Sequence, residues 1–186
     1  PSVALEDCTQ LSFVASLAVV DTLEGIIPDP AFVRCKWPND VLIEGKKIAG
    51  VLLESFSTKE LISERQWVSV GIGINVDNYP EHVLFPATSL RAVGVDLVSA
   101  KIVLSRLVHH FIARYDQWET SGFSGIRKAW QEKAYHIQDH VEVIVGEERF
   151  GGVFVGVDEA GRLLLRNKKK QTQAIIAGDV FYPEQA

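Results

Sequence analysis

The sequence predicts an α+β fold in two parts, on three observations. Two long stretches carry apolar residues at helical spacing, and a strand–turn–strand pattern lies between them. From about residue 138 the texture changes to short strands punctuated by glycine. The expected architecture is a mixed sheet with helices over residues 1–137, followed by a small SH3-like β-barrel over 138–186.

Each element has its own signal. Apolar residues at Leu11, Val14, Ala15, Ala18 and Val19 predict the first helix, which Pro28 and Pro30 close off. Val33–Trp37 reads as a short strand and Pro38-Asn39-Asp40 as a turn. Val41–Ile43 and Ile48–Glu54 flank Glu44-Gly45-Lys46-Lys47, a hairpin with glycine in its loop. Val68–Val76 is a further strand, and Asp77–Pro86 a loop. Ser99–Trp118 repeats apolar residues on one face and predicts a long amphipathic helix, with a second around Phe123–Ala134. Five short strands follow, at 141–145, 149–157, 162–166, 173–177 and 179–182.

Composition narrows the function classes. The 186 residues carry 19 Lys+Arg against 24 Asp+Glu, a formal charge of −5 that argues against a protein built to grip a nucleic-acid backbone. Cys8 and Cys35 form neither a CxxC nor a metal spacing, which reads as a reducing, cytoplasmic setting. The longest apolar run, Leu11–Val20, is broken by Ser12 and Ser16 and falls short of the roughly 18 residues of a membrane span. No basic stretch precedes it, so a secretory signal is not expected. With no Met and Pro at position 1, the chain as it stands is expected to lack residues upstream.

Chemistry concentrates in one constellation. Arg34-Cys-Lys-Trp-Pro-Asn-Asp40 packs a cation, an indole, an amide and a carboxylate into a strand-to-turn transition. Alone it reads equally well as a capped turn with Trp37 in the core. The hairpin, however, brings Lys47 back toward Asn39 and Asp40, setting a mobile cation beside a carboxylate. Such a pair is either a solvated contact worth under about 1 kcal/mol or a compact charge aimed at a phosphate. Gly50 and Gly71 on neighbouring strands clear one sheet face for a flat ligand, unless each simply marks a bend. Asn75 could read an adenine edge or cap the next turn. Gly71-Ile-Gly-Ile-Asn75 lacks dinucleotide-fingerprint spacing, the five histidines show no metal pattern, and Lys168-Lys169-Lys170 reads as a solvated loop.

Lys36-Trp-Pro-Asn-Asp40, then Lys46-Lys-Ile-Ala-Gly-Val-Leu-Leu-Glu54, then Gly71-Ile-Gly-Ile-Asn75, in that order and spacing, resembles the central core of biotin protein ligases. Ala87-Thr-Ser-Leu90, the Trp130 helix and the glycine-rich end fit the same family, so the resemblance runs through the whole chain. It implies a two-step reaction in which biotin and ATP, with Mg²⁺, form biotinyl-5′-AMP, and a lysine of a biotin carboxyl carrier domain then takes the biotinyl group. By the same resemblance Lys47 and Asp40 are catalytic, and Asp40 is a Mg²⁺ ligand. Lys47, Gly50, Val51, Leu52 and Gly71 bind biotin, and Asn39, Gly73 and Asn75 bind the nucleotide. It further implies a homodimer formed through sheet edges. Neither the family's DNA-binding winged helix nor its Gly- and Arg-rich loop is found in these residues, the single Gly-Arg pair being Gly161-Arg162. No DNA or membrane partner is expected. A non-catalytic remnant that keeps half the pocket is the second reading, and a lipoate or other acyl ligase the third.

Overall fold

The computed structural model describes residues 5–59 and 64–182. Its centre is α1 (Leu11–Glu24), which the sequence presents as one apolar stripe but which is buried almost all the way round. The reason is its position: a sheet packs on one side, and α2 (Ala100–Ser121) and α3 (Phe123–Glu132) pack on the other. Two hydroxyls enclosed with it are satisfied within the helix, Ser16 Oγ donating to the Ser12 carbonyl and Thr22 Oγ1 to that of Ala18, each at 2.7 Å. A forked pair from Arg114 to Asp21, at 2.7 and 2.9 Å, ties α2 to α1. Edge-to-face contacts of Phe13 with Trp130 and Phe123 join α3 to the same core.

The sheet is a meander of β1 (Val33–Lys36), β2 (Asp40–Ile43), β3 (Lys46–Lys59) and β4 (Glu64–Ile74), antiparallel at every step. The parallel component of the expected mixed sheet is confined to two isolated bridges, Cys35 with Ala134 and Lys47 with Ala87. Successive hairpins explain this, because short connections can only return a strand antiparallel. The β2–β3 turn is tighter than its sequence implied. Only Glu44 and Gly45 lie in it, both with positive φ (51° and 73°) as a twisted two-residue hairpin turn requires, so Lys46 and Lys47 are strand residues.

Beyond α3 the chain forms β5 (His140–Val145), β6 (Glu148–Val157), β7 (Leu163–Arg166), β8 (Thr172–Ile175) and β9 (Asp179–Phe181), antiparallel in the order β8-β7-β6-β5-β9. These SH3-like strands form an open sheet among the described residues, not a closed barrel. Edge strands of only four and three residues offer too little ladder to close the ring. Lys168–Lys170 lie exposed in the β7–β8 connection, as a solvated loop should.

The terminal sheet seats against the first part at a close approach. Gly161 has φ +77°, its carbonyl accepts a 3.0 Å bond from Trp37 Nε1, and a Cβ there would sit 2.6 Å from the Phe13 ring. Val157 N–H donates to Gln131 Oε1 at 2.9 Å, and the Phe85 and Phe181 rings meet at 5.1 Å. No helix among the described residues is long and apolar enough to cross a membrane. Both cysteines are buried, and burial pushes the Cys35 thiol far above its ordinary range, which makes it a neutral packing group.

Candidate functional site

The turn that carries Asn39 and Asp40 is held from three sides. Ser12 Oγ donates to the Pro38 carbonyl at 3.1 Å, Trp37 is anchored on Gly161, and the Asn39 side-chain amide donates to the Val51 carbonyl at 2.6 Å. The Val51 N–H donates in turn to the Asn39 carbonyl at 2.9 Å. Asn39 thus clamps the turn to β3, using the very backbone groups of Val51 that a ligand would otherwise meet. The Val51 side chain is 3% exposed and points into the core.

A bulge then decides where Lys47 points. Lys47 and Gly50 are three residues apart, so a regular strand would place them on opposite faces. The β2–β3 register slips between Val41 and Leu42, pairing Asp40 with Gly50 but Leu42 with Lys47, which leaves Ile48 as the extra residue. Lys47 therefore lands on the Asp40 face, with its Nζ 2.6 Å from Asp40 Oδ1. Asp40 Oδ1 is buried and makes no aligned hydrogen bond, so the approach of the ammonium is a charge contact. The Lys47 side chain keeps 41% of its surface and Asp40 only 15%: the cation faces outward and the carboxylate sits behind it.

Three glycines clear the floor beside this pair. Gly50 pairs with Gly73 and Leu52 with Gly71, on the face that carries Asp40. A Cβ on Gly50 would press to 3.2 Å from Lys47 Cε and 3.3 Å from Asp40 Oδ1. A Cβ on Gly73 would meet nothing within 4 Å, and one on Gly71 would make only ordinary contact. None of the three has positive φ. Neither backbone strain nor packing against protein therefore demands glycine at 71 or 73; what they preserve is open space.

The space has walls. An open cavity of about 450 Å³ runs from Lys47, Gly50 and Gly73 to Asn75 and is lined on one side by Leu84 and Phe85 of the 77–87 loop. The loop is laced to β3: Lys47 N–H donates to Pro86 O at 2.7 Å and Thr88 N–H to Lys47 O at 2.9 Å. The Asn75 amide donates to Thr88 O at 2.9 Å, so it anchors the loop in the manner of the capping alternative. A second groove of about 430 Å³ runs along Asn39 and Leu52 to Gly161 and Ile176 of the terminal sheet. Leu52 is 60% exposed there and forms an apolar wall. Gly71, opposite Leu52, lines neither cavity.

Sequence reasoning passed over two participants. Lys36 Nζ lies 3.4 Å above the centre of the Phe85 ring and is nearly closed off from water. Burial lowers its pKa to about 8, against the opposing pull of Asp40 and Asp179. The apolar run Val83-Leu84-Phe85 inside an otherwise polar loop was the available signal for the second.

A fixed cation at the mouth of an apolar cleft with a glycine floor suits an anion carried on a flat, weakly polar body. The similarity of the chain to known proteins agrees. Residues 1–132 match the biotin/lipoate A/B protein ligase family and residues 136–182 the biotin protein ligase C-terminal domain. The chain therefore belongs to the biotin protein ligases within that family.

Among its relatives, the biotin–[acetyl-CoA-carboxylase] ligase of Paracoccus denitrificans is 36% identical over 178 residues, covering 93% of this chain and 72% of the relative. The bifunctional ligase/repressor BirA of Bacillus subtilis is 32% identical over 176 residues, covering 91% of this chain and 52% of its own length. Against such relatives the chain spans from about half to under three quarters of the full protein. The biotin protein ligase of Aquifex aeolicus superposes with a TM-score of 0.79 in its apo form, at 28% identity, covering 95% of this chain and 76% of that one. Its complex with biotin and ATP gives 0.76 at 28% identity, covering 93% and 70%.

Proposed function

We propose that the chain is the working core of a ligase that activates biotin with ATP and passes the biotinyl group to a lysine of a biotin carboxyl carrier domain. In the first step a biotin carboxylate oxygen bonds to the α-phosphorus and the bond to pyrophosphate breaks. In the second the carrier amine attacks the acyl carbon, AMP leaves, and the amine loses a proton. The observation that carries this reading is the Lys47–Asp40 contact of 2.6 Å over a glycine floor. Two anions must be held together in the first step, and a preorganised ammonium offsets their repulsion where they meet.

Roles follow from placement. Lys47 bridges the biotin carboxylate and the α-phosphate, and Asp40 holds it in position. Gly50, Gly71 and Leu52 give the flat biotin rings a bare surface with one apolar wall. Gly73 and the loop anchored by Asn75 bound the nucleotide half, while Asn39 and Val51 act by fixing the turn. Asp40 would hold Mg²⁺ through its carboxylate, a hard oxygen donor that keeps 15% of its side chain exposed beside Lys47. We read residues 1–137 as the catalytic part and 138–186 as the terminal domain, a division supported by the two family matches. The outer edge of β4, which pairs with no further strand among the described residues, is the surface for a homodimer. The buried thiols of Cys8 and Cys35 are in keeping with a cytoplasmic setting.

The test is biotin-dependent exchange of labelled pyrophosphate into ATP. Lys47→Ala is expected to lower exchange by about a thousandfold while the fold persists, a loss in the range of a removed charge-stabilising donor. Turnover within threefold of the unaltered chain would sink the assignment.

A further inference from the structure

Lys36 is an unusual place for a charge. It stands opposite Asp40 in the β1–β2 register, yet the residue is only 6% exposed and its ring partner belongs to a distant loop. Phe85 is that partner, and it lines the cavity that begins at Lys47. The other face of this contact is the terminal sheet: Phe181 meets Phe85 at 5.1 Å, and Tyr182 lies 5.9 Å from the same ammonium. A cation in a desolvated aromatic seat is held far more firmly than one in water. Three parts of the molecule thus converge on one side chain: the strand before Asp40, the loop over the cavity, and the last strand.

We propose that Lys36 is a positioning residue that pins Phe85, and through it the 80–87 wall, over the nucleotide half of the site. It touches no reacting atom in this role. Its expected signature is selective: the ATP side depends on it and the glycine floor beside Leu52 does not. The loop is also tied through the Lys47 backbone at Pro86 and Thr88, through the Asn75 amide at Thr88 and through the Phe181 ring, and the ammonium adds a charged hold on the Phe85 ring itself.

The kinetic half of the test rests on the ligase reading above, so the pin is also measured without catalysis. Amide hydrogen exchange at Thr88, whose N–H holds the end of the loop to the Lys47 carbonyl, is expected to speed up about tenfold in Lys36→Met and in Phe85→Leu, and to stay within about threefold in Lys36→Arg, which keeps a cation on the ring. In pyrophosphate exchange, KM for ATP is expected to rise about tenfold in Lys36→Met and Phe85→Leu alike, with KM for biotin and kcat within about threefold. The double variant should be no worse than either single one, because both remove the same contact. Unchanged loop protection in Lys36→Met, equal rises in both KM values, or effects that multiply in the double variant would each overturn the proposal. Should Lys36→Met not fold, Phe85→Leu and Lys36→Arg decide the matter on the same readings. An unaltered chain that supports no exchange refutes the ligase reading, while the amide measurement still judges the pin.

Discussion

The two faces of β3 and β4 are built from alternate residues of the same strands and have opposite fates. Toward α1, Ala49 pairs with Ile74, Val51 with Ile72 and Leu53 with Val70; Val51 is buried and the other five belong to or pack on the core cluster. On the other face Gly50 pairs with Gly73 and Leu52 with Gly71, and the surface is left bare. Period-two alternation lets one pair of strands serve stability with one side and binding with the other. The two sets of residues should therefore fail in different ways.

Gly73→Val is the sharpest way to break this contrast. The site has room for a Cβ and ordinary strand dihedrals, so a β-branched residue should leave stability within about 0.5 kcal/mol. Binding of biotin and ATP should nevertheless fall by about a hundredfold, because the added methyls occupy the ligand's space. Calorimetric titration beside a thermal melt checks both halves. A variant that binds normally would mean the glycine face is not the floor of the site.

Val51→Ala is the mirror experiment. Truncating a side chain sealed between sheet and α1 should cost about 2 kcal/mol in urea unfolding, with activity per folded molecule kept within about twofold. Loss of activity without loss of stability would mean that the two faces are coupled more tightly than their chemistry requires.

A smaller effect concerns pH. The amine of Lys36 titrates near 8 in the folded chain and near 10.5 when unfolded, so between those values the unfolded state binds more protons and stability rises with pH. Below about 8 both states are protonated and the burden of a buried ammonium is fully present. Asp40 and Asp179 oppose this shift and Lys47 reinforces it. Above about 9 Cys35, and above 10 Tyr182, both pushed well above their usual range by burial, favour the folded state less and less, which confines the clean window to pH 8–9. Urea unfolding of the unaltered chain and Lys36→Met across that window should converge as pH rises. A constant difference would show that the folded ammonium titrates normally.

Much of this was legible in the chain itself. The strand and helix positions follow from periodicity and from Pro and Gly punctuation, and the Lys47–Asp40 encounter follows from a two-stranded hairpin. The side of the sheet on which Lys47 emerges was not legible. Simple alternation puts it away from Gly50, and the bulge at Ile48 that reverses this leaves no composition signal in Lys-Ile-Ala-Gly. For Asn39 and Asn75 the sequence left a ligand contact and a local turn bond both open, because an amide's partner is invisible in sequence; both amides donate to backbone carbonyls.

The sequence by itself determined the element order, the glycine spacing and the family, because these rest on local propensity and on residue identity at fixed offsets. Tertiary structure alone decided the all-round burial of α1, the open edge of the terminal sheet and the seat of Lys36 on Phe85. Those depend on contacts between residues tens of positions apart, and burial, which turns an ordinary lysine into a buried pin, is a property of the packed whole.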